Sequence, residues 1–233
     1  MKIINNIKVM NNQYRELDIG YFNSISKRNE LPKRTITQRL VAWELDERYY
    51  DGARDVGYGG FRNDGRWNKH IPVLIDEFSI PEYGTIVDLG CKKGFILKAF
   101  KDILPKSTLL GIENHRYPID EAEHDLRPLL RCGPLYKIPL PDNSVDFLIS
   151  FSAIYMQSLG DVVKTLREIE RVSCGRSYVT VGAFSDGLER QAFADWTLIG
   201  TTVLSIPEWV EVLDYCDYSG AIFFTTPRVL GLI

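Results

Sequence analysis

The 233-residue chain has no excess of positive charge: 28 Lys and Arg stand against 31 Asp and Glu, a net charge of −3. That balance, with no basic run, leaves no electrostatic footprint for nucleic acid. Cysteine is sparse and evenly scattered, at Cys91, Cys132, Cys174 and Cys216, with no C-x-x-C pair. The three histidines, His70, His115 and His124, make no zinc spacing with them. Free thiols and no metal are the expectation. No long apolar run occurs; FLISFSAIYM (147–156) is too short to cross a bilayer. The start, MKIINNIKVMNNQ, lacks the apolar core of a signal peptide. The composition reads as a soluble, cytoplasmic protein without membrane insertion, and leaves its oligomeric state open.

What is present is an ordinary globular composition, 45% hydrophobic, enough for a sizeable core. Residues 1–34 are Asn- and Lys-rich without a period and read as an arm. Thr35 and Gln38 make a capping-box pattern, and Ile36, Leu40 and Trp43 then recur at helical spacing, so a helix is expected to about Tyr50. DGARDVGYGGFRNDGRW (51–67) follows, with five glycines among arginines and aromatics. Glycine resists ordering into helix or strand, yet the loop is too aromatic for a linker. A second helix is expected near 69–78, with Pro72 in its first turn.

From residue 84 apolar strands alternate with helices. Strands are expected at 85–89, 108–113, 129–133, 145–151, 177–184 and 221–226. Helices are expected at 95–104, 118–126, 161–172, 187–197 and 207–216. Continuous apolar strands separated by helices imply a parallel sheet covered on both faces. The division expected is an arm, helix and glycine-rich lid over 1–78, and one compact unit over 79–233.

The first of these strands runs into VDLGCKKGF, with Asp88, Gly90 and Gly94. Glycines between strand and helix let backbone approach a ligand closely, beside the unpaired N–H groups of the helix start. GIENH puts Glu113 at the end of the second strand, 25 residues after Asp88, where a carboxylate can take a ribose diol. A dinucleotide G-x-G-x-x-G fingerprint would need a glycine at Lys92.

VDLGCKKGF, GIENH and CGPLYKIPLPDNSVDFLIS together resemble the class I S-adenosylmethionine (SAM)-dependent methyltransferases. The resemblance implies a Rossmann-like α/β sheet, mostly parallel with a C-terminal antiparallel strand, helices on both faces and an N-terminal helical cap. It implies SAM as cofactor, S-adenosylhomocysteine as product, and Asp88, Gly90, Cys91, Gly94, Glu113 and Asn114 around the cofactor. Pro134 stands where the family often has a polar residue facing adenine, so adenine would be read at Leu135. In SFSAIYM, Ser150 and Ser152 would lie near the methionine part, and Tyr155 is a candidate base or orienting group, with a packing role equally open. The loop is similar to one in a subgroup encoded with surface-polysaccharide enzymes. There it implies a lid, with Tyr58 over the cofactor and Arg54, Arg66 and Trp67 toward a small anionic or sugar-type acceptor. O-methylation is the favoured reaction. A non-catalytic binding protein on the same fold, or a nicotinamide-dependent oxidoreductase, are the alternatives.

Overall fold

The computed structural model describes residues 14–24 and 33–233. Along the chain run β1 (Arg15–Glu16), α1 (Ile36–Trp43), α2 (Glu47–Tyr50), α3 (Ile71–Phe78), β2 (Thr85–Leu89), α4 (Phe95–Ile103), β3 (Thr108–Glu113) and α5 (Arg116–Asp120). There follow β4 (Leu130–Cys132), β5 (Phe147–Phe151), α6 (Leu159–Ser173), β6 (Ser177–Phe184), α7 (Gly187–Trp196), β7 (Leu204–Ser205), α8 (Ile206–Tyr215) and β8 (Ala221–Thr225). The strands form one sheet in the order β1-β8-β6-β5-β2-β3-β4, with β7 against the end of β6. From β2 the chain builds outward through β3 to β4, then crosses back to β5 beside β2. That reversal makes a topological switch point, and a crevice opens at the carboxyl ends of β2 and β5.

Strand alternation supplies two cores. Val87, Leu89, Leu148, Val179 and Ile222 face α6 and α8 through Leu166, Ile169, Trp209 and Leu213. Ile86, Phe147, Ile149 and Tyr178 face α3 and α4 through Ile71, Leu74, Ile96 and Phe100. Successive residues of one strand point to opposite faces, so apolar residues at every position are what a doubly covered sheet requires.

The C-terminal strand corrects one expectation. Ala221–Thr225 was expected to run antiparallel, but it pairs with β6 in parallel register, Tyr178 opposite Ala221 through Gly182 opposite Thr225. The connection from β6 carries α7 and α8, a crossover long enough to return the chain to the same end of the sheet.

The helix expected from 36 to about 50 is broken. Thr35 and Gln38 form the capping box, but Leu45 takes a positive φ of 52° and Asp46 caps a separate short α2. Its apolar stripe faces outward, with Ile36 70%, Leu40 61% and Trp43 49% exposed. Polar groups hold α1 instead: Arg39 donates to the Ala194 carbonyl, and the Arg34 N–H to that of Asp195 at 2.8 Å. The helix expected at 118–126 is confined to Arg116–Asp120.

The arm expected over 1–34 lies outside the described residues except for 14–24 and 33–34. In that stretch Leu17 donates to Ile222 at 2.9 Å, and Ile19 is only 5% exposed. Among the described residues, no helix is long and apolar enough to cross a membrane.

Candidate active site

The turn after β2 is shaped for close approach. Gly90 has φ 82°, and a Cβ there would lie 2.2 Å from the Ala153 Cβ. Gly94 caps α4 at φ 80°, with Leu130 beneath it. Lys92 occupies the left-handed region at φ 52°, a conformation uncommon outside glycine. Glu113, 3% exposed at the end of β3, holds this turn. Its Oε2 accepts from the Lys92 N–H at 3.0 Å and its Oε1 from the His115 N–H at 3.2 Å. Each oxygen keeps a further lone pair for a ligand.

Asp88 stands one residue before the end of β2, between Gly111 and Ile149 of the neighbouring strands. It is 1% exposed, and neither carboxylate oxygen has a hydrogen-bond partner among the described residues. Burial pushes its pKa up to about 7, Lys92 opposing and Glu113 adding to the rise. A buried acid without partners is costly. Such a group suits a site that a polar ligand completes.

Above the turn is a cavity of about 150 Å³. Gly90, Lys92, Glu113, Asn114, His115 and Leu135 form its floor on the β2, β3 and β4 side, and Ala153, Met156 and Gln157 follow β5. Trp43, Leu45, Tyr49, Tyr50 and Ile199 form the roof. Tyr49 is 1% exposed and its hydroxyl has no partner among the described residues; burial holds its pKa well above the phenolic range, so it is a donor.

The expected cofactor residues divide around this cavity. Gly90, Glu113, Asn114 and Leu135 line it. Cys91 is turned beneath the turn, where its sulfur would lie 2.7 Å from a Cβ on Gly111. Ser150 donates to the Leu89 carbonyl at 2.9 Å and Ser152 contacts Thr180, so both brace strand ends outside the lining. Tyr58 is not in the wall either; it packs edge-on to Tyr49 and against Trp196.

The expected acceptor and catalytic residues lie elsewhere. Arg66 forks onto Asp64, whose pKa that bond lowers to about 2. Arg54 is exposed, its side chain lying along Gly59. Trp67 is core, with its ring 4.8 Å from those of Tyr21 and Phe151. Tyr155 is 6% exposed, its ring between Phe193, Gly182 and Gly200. Its carbonyl accepts from Thr201 and Thr202 and so fixes the segment carrying Ile199. Sequence reasoning missed the roof, Trp43, Tyr49 and Tyr50, and also His115. The YYDG run before the glycine loop was the available signal.

Comparison with known proteins agrees with this geometry. Residues 87–179 match the model of a methyltransferase domain family. An uncharacterized methyltransferase of Schizosaccharomyces pombe is 31% identical over 106 residues, which are 40% of this chain and 37% of that protein. A structure of the complex between the Haloferax volcanii Trm112 methyltransferase activator and a putative methyltransferase superposes with TM-score 0.53. It has 23% identity and covers 82% of this chain and 77% of that one. The YcgJ protein of Bacillus subtilis gives TM-score 0.51 at 17% identity, over 63% and 66% of the two chains. Residues 87–179 are therefore similar to a methyltransferase domain, the sheet that carries them has the Rossmann-like class I fold, and the match supports S-adenosylmethionine as cofactor.

Proposed function

We propose that the chain transfers the methyl group of SAM to a small acceptor, oxygen being the favoured nucleophile. The observation that carries this reading is the acid pair at the glycine turn, Glu113 in the cavity wall and orphaned Asp88 behind it. In it, residues 79–233 hold the cofactor and residues 1–78 supply the arm and cap. When bound, SAM supplies an activated methyl group with its own leaving group. The protein's part is then binding, alignment and exclusion of water.

In this reading the parts follow strand order. Glu113 is placed to take the ribose diol, and Leu135, 3% exposed, to pack on adenine. Gly90 lets backbone approach between them. The acceptor then enters over β5, between Met156 and the roof residues Trp43, Leu45, Tyr49 and Ile199. The Tyr49 hydroxyl is the donor there, suited to orienting an acceptor oxygen. These walls are uncharged. They favour the sugar-type half of the acceptor expectation over the anionic half, since the charged cation of the wall, Lys92, flanks the ribose acid, and burial lowers the pKa of His115 beside it. A surface-polysaccharide building block, methylated in the cytoplasm, fits that acceptor class.

A non-catalytic cofactor-binding protein is the second reading, favoured by the close roof and by the absence of a carboxylate or imidazole among the cavity residues that follow β5. Calorimetry tests both. SAM and S-adenosylhomocysteine should bind without added metal and NAD should not. Glu113→Gln should weaken binding by about 1–3 kcal/mol, the scale of charge-assisted hydrogen bonds. Binding of NAD alone would overturn the cofactor assignment. With binding established, release of S-adenosylhomocysteine in the presence of sugar acceptors separates the enzyme from the binding protein.

A further inference from the structure

The turn that faces the cofactor carries two consecutive lysines, and both are engaged by the cap. Lys93, 9% exposed, gives its ammonium to Asp51 Oδ1. Asp51 is the residue that ends α2, and its other oxygen accepts from the Tyr117 hydroxyl at 2.9 Å. One carboxylate thus ties three parts of the molecule: the cap, the turn after β2 and the helix after β3. Lys92 adds a second tie, its ammonium 5.3 Å from the centroid of the Phe61 ring. Phe61 in turn donates its N–H to the Tyr50 carbonyl at 2.8 Å, and the Tyr50 ring stacks on Tyr117 at 5.8 Å. The cap is bolted to the turn that it covers.

Beside these ties lies the cavity of about 150 Å³, smaller than the roughly 300 to 1,000 Å³ of ordinary small-molecule and cofactor pockets. Tyr49 and Tyr50 of α2 form part of its wall, so movement of α2 and the start of the glycine-rich loop away from the turn widens it toward that size. We propose that Asp51, through Lys93 and Tyr117, is the gate of the cofactor site: the clamp must open for the nucleoside to enter or leave. The proposal rests on the reading that the cavity takes SAM. A nearly buried ammonium is costly to leave unpaired, so the clamp closes firmly when dry, and water replaces both partners when it opens. Gly59 and Gly60, at φ 86° and 85°, give the segment after Asp51 conformations that other residues resist.

A gate and a mere packing contact differ in kinetics. A gate stabilises the closed form with or without ligand, so its loss speeds entry and exit together. Stopped-flow mixing with S-adenosylhomocysteine, read through protein tryptophan fluorescence and an indicator-displacement control, compares the wild-type chain with Asp51→Asn, Asp51→Glu and Tyr117→Phe. Asp51→Asn should raise both the association and dissociation rates by about three- to tenfold, the range expected for a partly exposed ion pair with a second hydrogen bond. The dissociation constant should change by much less than either rate. Asp51→Glu should restore slow exchange, and Tyr117→Phe should fall between. Amide exchange over residues 47–61 of the ligand-free protein should quicken in Asp51→Asn. Unchanged association in Asp51→Asn and Tyr117→Phe, with only a lower melting temperature, would overturn the gate. If the wild-type chain binds no S-adenosylhomocysteine, the cofactor reading falls instead, and exchange over 47–61 alone decides whether Asp51 holds the cap.

Discussion

Asp88 sets a pH dependence that belongs to a single side chain. Burial raises its native pKa to about 7, while in the unfolded chain it titrates near an ordinary value of about 3.9. The native state therefore keeps a proton that the unfolded state has released. The stability linked to that proton is full below about pH 4 and drains away as pH rises through about 7. Replacing the carboxyl by a neutral amide removes the charge but leaves a buried polar group, which costs less. Without ligand, Asp88→Asn should be more stable than wild type at pH 8 by roughly 1–3 kcal/mol. The advantage should shrink toward zero at pH 4. Urea denaturation across that range measures it, and a difference independent of pH would show that Asp88 is not protonated in the native state.

At the scale of elements, α8 shows how much a few residues decide. Ser205 and Glu208 form a capping box, and the helix then delivers Trp209, whose indole N–H donates to the buried Gly182 carbonyl at 2.9 Å. Ser205→Ala should cost about 1 kcal/mol in urea denaturation, the usual worth of an N-cap, without altering cofactor binding. Caps and apolar runs of this kind made the central sheet legible in the sequence. TIVDL, TLLGIE and SYVTVGAF each announce a strand buried on both faces, and glycine and carboxylate spacing marked the cofactor turn. Arg15–Glu16 and Leu204–Ser205 are two-residue strands, too short for any period to show. The strand sense of Ala221–Thr225 depends on where the preceding crossover returns, which its own residues do not encode. The roof escaped for a related reason. Tyr49 and Tyr50 meet strand tips forty or more residues away in sequence, a contact that local spacing cannot report. Arg66, read as a ligand clamp, found its partner in its own loop at Asp64.

Across the whole molecule, the glycine-rich segment divides between two tasks. Its first part joins the cap over the cavity, while Trp67 at its end is only 8% exposed and enters the core shared by α3, α4 and the sheet. Trp67→Ala should therefore lower global stability by about 3–5 kcal/mol, the cost of emptying a large aromatic site. Where the variant remains folded, calorimetry should find its affinity for S-adenosylhomocysteine close to that of wild type. A selective loss of ligand affinity with stability intact would return Trp67 to the site. The outermost strand carries a different consequence. Leu17 and Arg15–Glu16 lie along β8 through backbone pairing, and β8 is otherwise a mostly buried apolar strand, AIFFT. A sheet that ended at AIFFT would present a row of open amides and carbonyls to any other chain, the usual start of edge-to-edge aggregation. Those few residues, with a charge of each sign at Arg15 and Glu16, act as a selvedge over that side of β8.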